Sequence, residues 1–210
     1  MSSSLPGLSS GRVEAFSDGV MAIAITLLIL DVKVPIAEEG GLTRALAHQW
    51  PSYAAYAVTF LVIGIMWVNH HFLFDRVEAV TRGLLYLNLL LLMGIAFLPF
   101  PTALLAEYLR EDANSHIAAA VYSATMVAIG VGFVALWWHL TRHPELLEAD
   151  TDVAVAQVAM RRSMVGPVVY GATIALAFVS APACLVVYGL MALYFMVFRV
   201  RAPAPQTSAS

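Results

Sequence analysis

Apolar residues in this chain fall into long runs, and charged residues gather mainly in the short intervals between them. The first four runs cover residues 16–34, 53–68, 84–105 and 117–138. Because the ~30 Å hydrocarbon core of a bilayer requires about 20 residues of α-helix, runs of roughly this length are typical of transmembrane helices. Each of these runs therefore predicts one membrane span.

The last apolar run, residues 165–198, contains no charged residue over 34 positions. That length exceeds what one tilted helix needs to cross a bilayer. Ser180, Ala181 and Pro182 interrupt the run, and a proline removes a hydrogen bond from a helix. We predict two slightly short helices joined by a tight hairpin, which gives an all-α integral membrane protein of six spans.

Composition supports a membrane environment. Hydrophobic residues make up 60% of the 210 residues and charged residues 12%, whereas an ordinary soluble domain has about 25% charged residues. A globular fold of this size could not bury so much apolar surface, so membrane lipid is an expected partner. The net charge of −3, without a cluster of Lys and Arg, predicts no nucleic-acid partner.

Basic residues are distributed unequally between the two sets of loops. Eight arginines fall on one side of the predicted spans and three basic residues on the other. Because cytoplasmic loops carry the excess of Lys and Arg, we expect a multi-pass protein of the cell membrane with both termini in the cytoplasm. The eight are Arg12, Arg76, Arg82, Arg142, Arg161, Arg162, Arg199 and Arg201, and the three are Lys33, Arg44 and Arg110.

Three segments differ from the spans in composition. Residues 1–11 and 202–210 are rich in small and polar residues and are predicted to be disordered. Residues 12–201 are predicted to form one membrane domain. Within it, residues 150–163 predict a short amphipathic helix at the cytoplasmic interface, because acidic residues open the segment and arginines close it, as suits the helix dipole.

The first predicted helix has two faces of different chemistry. At about 100° per residue, one face collects bulky apolar side chains and one hydroxyl, namely Phe16, Ile23, Thr26, Leu27 and Leu30. Ser17 and Asp18 point away from it. Spacing alone leaves open whether the apolar face packs against lipid or another helix. A polar residue at membrane depth is costly, so Asp18 is either an interhelical tie or a group that transfers protons or ions.

Potential partners of Asp18 lie at the same expected depth. The second segment ends with Trp67, His70 and His71, and Asn88 lies near this level in the third. A carboxylate that meets a histidine forms a charge-assisted hydrogen bond, so we expect Asp18 to pair with His70 or His71. A metal site is the weaker alternative, because adjacent histidines diverge by about 100° on a helix and only one carboxylate is near.

Two motifs in these segments are specific. One is Arg12-x-x-x-Phe16-Ser17-Asp18-Gly19, followed by the apolar string of residues 22–28, and the other is Trp67-x-x-His70-His71. Together with the third-segment pattern around Asn88 and residues 98–102, they resemble the transmembrane-protein-175 family, whose animal members are lysosomal potassium channels. The resemblance covers nearly the whole chain.

The resemblance implies a potassium-permeable cation channel. Prokaryotic members with six spans assemble as homotetramers, and the first helix of each subunit lines the pore. Ile23, Leu27 and Leu30 would then form apolar rings that act as gate and selectivity element, and Thr26 a hydroxyl ring near the narrowest level. A structural polar network would consist of Arg12, Phe16, Ser17, Asp18, Trp67, His70, His71 and Asn88. No cofactor is implied, and the ligand is the permeant K⁺.

Two other function classes compete with a channel. A proton-coupled cation carrier would use Asp18 and the histidines as a relay. Carriers tend to have helices broken near the midplane, and the placement of Pro35, Pro99, Pro101 and Pro182 at segment ends disfavours this class. A membrane enzyme would need a nucleophile, a base and an orienting group at membrane depth, and the apolar runs contain no such set, so no enzymatic activity is expected.

Overall fold

The computed structural model describes residues 9–36, 41–111, 114–149 and 151–197. Within these ranges the regular structure is helical, apart from a single antiparallel bridge between Val77 and Leu147. The α-helices are α1 (Ser10–Leu27), α2 (Gly41–His48), α3 (Trp50–Phe74), α4 (Arg82–Phe97), α5 (Pro99–Tyr108), α6 (Ser115–Arg142), α7 (Val153–Ser163), α8 (Val165–Ala177) and α9 (Ala181–Val197). Two short 3₁₀ helices, Leu28–Asp31 and Pro144–Leu146, follow α1 and α6.

Among the described residues, four helical stretches are long and apolar enough to cross a membrane. They are Ser10–Asp31, Trp50–Phe74, Arg82–Tyr108 and Ser115–Arg142, and they confirm the first four predicted helices. The third stretch contains α4 and α5 in succession. Leu98 keeps helical dihedral angles between them, and Pro99 follows at the first position of α5, where no backbone donor is needed.

This junction corrects one expectation about the prolines. Pro99 and Pro101 lie inside the third apolar stretch and not at its end. The chain stays helical there because Thr102 donates to the Leu98 carbonyl through both its backbone N (3.1 Å) and its hydroxyl (2.8 Å). The position of these prolines therefore no longer argues against a carrier.

The last apolar run forms two helices, as predicted. α8 has 13 residues and α9 has 17, so each is shorter than the four long stretches. Residues 178–180 separate them, and the Ser180 hydroxyl accepts a hydrogen bond from the backbone N of Ala183 at 3.3 Å. Pro182 follows in the first turn of α9, a position at which a proline is tolerated.

The predicted amphipathic helix is present as α7. Asp152 caps it by accepting a hydrogen bond from the Ala154 backbone N at 2.8 Å, and Arg161 and Arg162 lie in its last turn. Asp150 lies outside the described residues. The same holds for residues 1–8 and 198–210, so the predictions about both terminal segments, including Arg199 and Arg201, concern residues that the structure does not describe.

The loops on the two sides of the bundle differ in charge. At one end, the α3–α4 loop meets the segment after α6, where Glu148 N donates to the Arg76 carbonyl at 3.0 Å. Arg142 and the arginines of α7 also lie at this end. At the other end, Arg110 donates to the His48 carbonyl at 3.3 Å and Lys33 lies 3.9 Å from Glu107. The arginine-rich loops thus share one end, called the basic end below.

Close packing and buried hydroxyls hold α6 at the centre of the bundle. A Cβ at Gly130 would lie 2.7 Å from Cδ of Pro167 on α8, so this glycine permits the close approach of α6 and α8. The Ser123 hydroxyl lies 2.6 Å from the Tyr188 hydroxyl of α9, and the Tyr122 hydroxyl lies 3.0 Å from Thr59 of α3. Such interhelical hydrogen bonds hold helices together where the hydrophobic effect between them is weak.

Candidate functional site

The first helix packs one face into the bundle. Val13, Ser17, Met21, Ala24 and Leu28 are buried, and their spacing of three or four residues places them on a single stripe. This stripe contacts α3 and α4. The inward face of α1 is therefore fixed by residues of small and medium size around one buried hydroxyl.

The opposite face of α1 is apolar and uncovered. Ile23 is 61% exposed, Leu27 42% and Leu30 72%, and Phe16 lies on the same side with 56% exposure. Burial of a large aliphatic side chain contributes about 1.5–3 kcal/mol, so a stripe of this kind is expected to face lipid, another chain or a dewetted pathway. All four residues that the sequence predicts for this face are exposed, and Leu30 lies in the 3₁₀ turn that follows α1.

Thr26 lies on the exposed side of α1, next to this stripe. Its hydroxyl donates to the Ile23 carbonyl at 2.9 Å. A threonine hydroxyl has one donor and two lone pairs, so the donor is used within the helix and a lone pair stays available on the oxygen. The Thr26 oxygen can therefore coordinate a cation, or accept a hydrogen bond from a water molecule, beside the otherwise apolar stripe.

A buried chain of polar groups lies on the other side of α1. Asn88 on α4 donates from Nδ2 to the Ser17 hydroxyl at 3.0 Å, and its Oδ1 accepts from His70 Nε2 at 2.9 Å. Ser17 in turn donates to the Val13 carbonyl at 2.8 Å. All three side chains are buried, and their hydrogen bonds connect α1, α3 and α4.

Asp18 is held by a tryptophan and not by a histidine. Trp67 Nε1 donates to Asp18 Oδ1 at 2.8 Å, while His71 Nδ1 contacts Oε1 of Glu14. The predicted pairing of Asp18 with His70 or His71 is therefore wrong. Because α1 and α3 run in opposite directions, the residue one turn after Trp67 meets the residue one turn before Asp18.

Glu14 is the member of this site that the sequence analysis missed. It lies one helical turn before Asp18, and His71 lies one turn after Trp67. Side chains four residues apart share a helix face, so this matched spacing was the available signal. The two contacts lie one helical turn apart and connect α1 to α3.

Two predicted members of the network do not join it within this chain. Arg12 is exposed and makes no side-chain hydrogen bond or ion pair to the residues that the structure describes. Phe16 shares the uncovered face with Ile23 and Leu27. Among the described residues no group of three or more His, Cys, Asp or Glu side chains is arranged to hold a metal ion.

Comparison with known proteins relates this arrangement to one family. The family model described as the endosomal/lysosomal potassium channel TMEM175 matches residues 12–99. A protein of Streptomyces collinus, named a potassium channel, is 59% identical over 201 residues, which cover 95% of this chain and 98% of the relative. The chain belongs to the TMEM175 family. The TMEM175 family is one of potassium channels and not of enzymes.

Other TMEM175 proteins match in sequence and in structure. A potassium channel of Chamaesiphon minutus is 43% identical over 189 residues, covering 89% of this chain and 93% of the relative. The crystal structure of a lysosomal potassium-selective channel TMEM175 homolog from that organism matches with a TM-score of 0.80 and 41% identity, over 92% of this chain and 98% of the other. The fold described above is therefore that of a TMEM175 channel.

The animal relatives match over a shorter part. Human TMEM175 is named an endosomal/lysosomal proton channel and is 34% identical over 139 residues, which are 62% of this chain and 28% of the human protein. The similarity to the human protein thus concerns about a quarter of its length.

Proposed function

We propose that this chain is one subunit of a homotetrameric, potassium-permeable cation channel whose pore is lined by α1. The observation that carries the proposal is the uncovered apolar face of α1 and of the 3₁₀ turn that follows it, where Ile23, Leu27 and Leu30 are exposed and Thr26 lies beside them. Membership of a potassium-channel family supports the same assignment. One stripe lines only a fraction of a pore, so several copies are required.

Apolar rings can act as both gate and selectivity element. A narrow apolar ring excludes water, and an ion passes only if the ring widens or the ion loses hydration water. Potassium holds its hydration shell less tightly than sodium, so such a ring favours potassium without a dedicated binding site. The sequence contains no Thr-Val-Gly-Tyr-Gly string of the carbonyl-lined filters, and we expect modest selectivity.

The polar contacts on the inward side of α1 would hold the pore helix in place. Asn88 ties Ser17 to His70, and Trp67 ties Asp18 to α3. None of these groups belongs to the exposed apolar stripe, so they position α1 without lining the proposed ion path.

The proposal also specifies the number of spans and the orientation of the chain in the membrane. α8 and α9 would be the fifth and sixth spans, and the basic end of the bundle would face the cytoplasm. Both termini would then be cytoplasmic in a cell-membrane protein, because the excess of arginine marks the cytoplasmic side.

The test is cation flux into proteoliposomes with K⁺ and then Na⁺ as the only permeant ion. A channel gives flux that rises with the ion gradient without saturation, and a K⁺ rate above the Na⁺ rate. Flux that saturates and stops when the pH gradient is removed would instead support a proton-coupled cation carrier. The Asp18–histidine relay of that alternative is not formed, since Asp18 accepts from Trp67.

A further inference from the structure

A groove separate from the α1 face opens at the basic end of the bundle. It runs between α3, α9 and the junction of α7 with α8. Its outer part lies at the basic end, and its inner part lies deeper between the helices. Asn69 and Phe195 line both parts, so the two spaces adjoin.

Two arginines line the outer part of the groove. The Arg76 guanidinium lies 3.5 Å from the centre of the Phe72 ring, and its side chain is 18% exposed. Arg162 donates from Nη2 to the Phe195 carbonyl at 3.2 Å, while its buried Nε has no partner among the described residues. Burial lowers the pKa of the Arg162 guanidinium because desolvation penalises the charged form. An anion at this place would offset that penalty.

Among the residues that line the outer part, Asp75 is the one carboxylate beside the two arginines. Asp75 lies 3.8 Å from Arg76 Nη1, and its side chain is 66% exposed. The lining of the outer part thus holds two guanidinium groups and one carboxylate. His71, which also lines the outer part, is held by Glu14. The outer part therefore keeps a positive balance.

The inner part of the groove is mainly apolar and runs beside the second half of α3. Val62, Ile65 and Met66 line it from α3, and Met191 and Ala192 from α9. The α3 residues that line the two parts of the groove extend from Val62 to Phe72, a distance of about 15 Å at 1.5 Å per residue. Half of the ~30 Å hydrocarbon core is about 15 Å, so the groove has the length that one acyl chain spans from a headgroup to the bilayer centre.

We propose that this groove binds an anionic phospholipid, with the phosphate at Arg76 and Arg162 and one acyl chain in the apolar inner part. The positive charge of the outer part favours an anionic headgroup. The apolar inner part favours a ligand with an acyl chain over a free anion, which would leave that part empty. Basic pockets between transmembrane helices bind acidic lipid headgroups in this manner. The proposal does not depend on ion conduction, because the groove shares no residue with the exposed α1 stripe.

The test uses the purified full-length chain in phosphatidylcholine nanodiscs that contain a small fraction of phosphatidylglycerol with a diazirine in one acyl chain. After irradiation, mass spectrometry locates the label. We expect label in residues 62–66 and 191–195, and competition by unlabelled phosphatidylglycerol but not by phosphatidylcholine or inorganic phosphate. Label spread evenly over the lipid-facing helices, or equal competition by phosphatidylcholine or phosphate, would overturn the proposal.

Two variants and one control separate the headgroup from the chain. Arg162→Gln should lower labelling about fivefold, since a basic residue near an anionic lipid contributes about 1 kcal/mol. Arg161→Gln removes the same charge from the adjacent exposed position and should leave labelling unchanged. Gly166→Leu keeps both arginines and fills the inner part, where only Phe195 lies within 4.0 Å of a Cβ at this glycine, and should also reduce labelling. Equal labelling of all three variants would contradict the site.

Discussion

Thr26 introduces one polar atom into an apolar face. Its hydroxyl donates its hydrogen to the Ile23 carbonyl, so the oxygen can only accept a hydrogen bond from water or coordinate a passing cation. A cation that loses hydration water at an apolar ring gains partial replacement from such an oxygen. At the residue scale, this predicts a role in conduction that is distinct from that of the neighbouring aliphatic side chains.

Replacement of Thr26 separates the oxygen from the shape of the side chain. Thr26→Val keeps the branched shape and removes the oxygen, and we expect K⁺ flux in proteoliposomes to fall about fivefold, as for the loss of a contact worth about 1 kcal/mol. Thr26→Ser keeps the oxygen and should conduct as the unmodified protein does. Equal flux in both variants would show that the hydroxyl does not meet the ion.

The residue scale also shows what spacing could and could not predict. The helical period was sufficient to place Ile23 and Leu27 on one face, because that depends only on rotation along one helix, and Leu30 is also exposed in the 3₁₀ turn that follows. The partner of Asp18 depended on the register between α1 and α3. Register is set by side-chain packing across helices, so the sequence indicated a nearby histidine where the structure has Trp67.

At the scale of the element, a helix can extend beyond its apolar run. The second apolar run stops at residue 68, and α3 continues through the polar end predicted for this segment, with His70 and His71, as far as Phe74. A count of apolar residues ends where Asn69, His70 and His71 begin. The helix continues because His70 and His71 find hydrogen-bond partners on neighbouring helices, which removes the cost of their polarity.

The buried bonds of Asn88 give a stability prediction for the α1–α3–α4 unit. Asn88→Leu removes the partner of His70 Nε2, and His70 Nδ1 has no partner among the described residues. An unsatisfied buried polar group costs about 1–3 kcal/mol, and we expect thermal unfolding in detergent to occur at a clearly lower temperature.

Asn69→Leu is the matched control for this substitution. Asn69 is half-buried on α3, and its side chain makes no hydrogen bond to the described part of the chain. The same change there should shift the unfolding temperature little. If both variants unfold at the same temperature, the Asn88 bonds do not hold α1 in place.

At the scale of the whole molecule, the apolar stripe with Ile23 and Leu30 is uncovered in the single chain. α3 and α4 cover the inward stripe of α1 and bury it, while nothing in the described part of the chain covers Ile23 or Leu30. Burying aliphatic surface is favourable, and four copies around one axis would bring these stripes together. The number of copies rests on the family resemblance and not on the fold of one chain.

A mass measurement tests the predicted tetramer directly. Native mass spectrometry of the purified protein in mild detergent should give a main species of four chains. The Ile23→Asn and Val186→Asn variants should both give the same species, so that a difference in their ion flux reflects the pore and not the assembly. A main species of one or two chains in the unmodified protein would contradict the proposed tetramer.

The central claim is that the apolar stripe of α1 forms the constriction of the pore. The most direct measurement is the ratio of K⁺ to Na⁺ flux in proteoliposomes that contain the Ile23→Asn variant, with Val186→Asn as the matched control. Ile23 and Val186 are both 61% exposed, but Val186 lies on α9, away from α1. We predict that Ile23→Asn increases leak several-fold and brings the ratio close to one, because a polar ring stays hydrated, while the control behaves as the unmodified protein. An unchanged flux and ratio in Ile23→Asn would contradict the account.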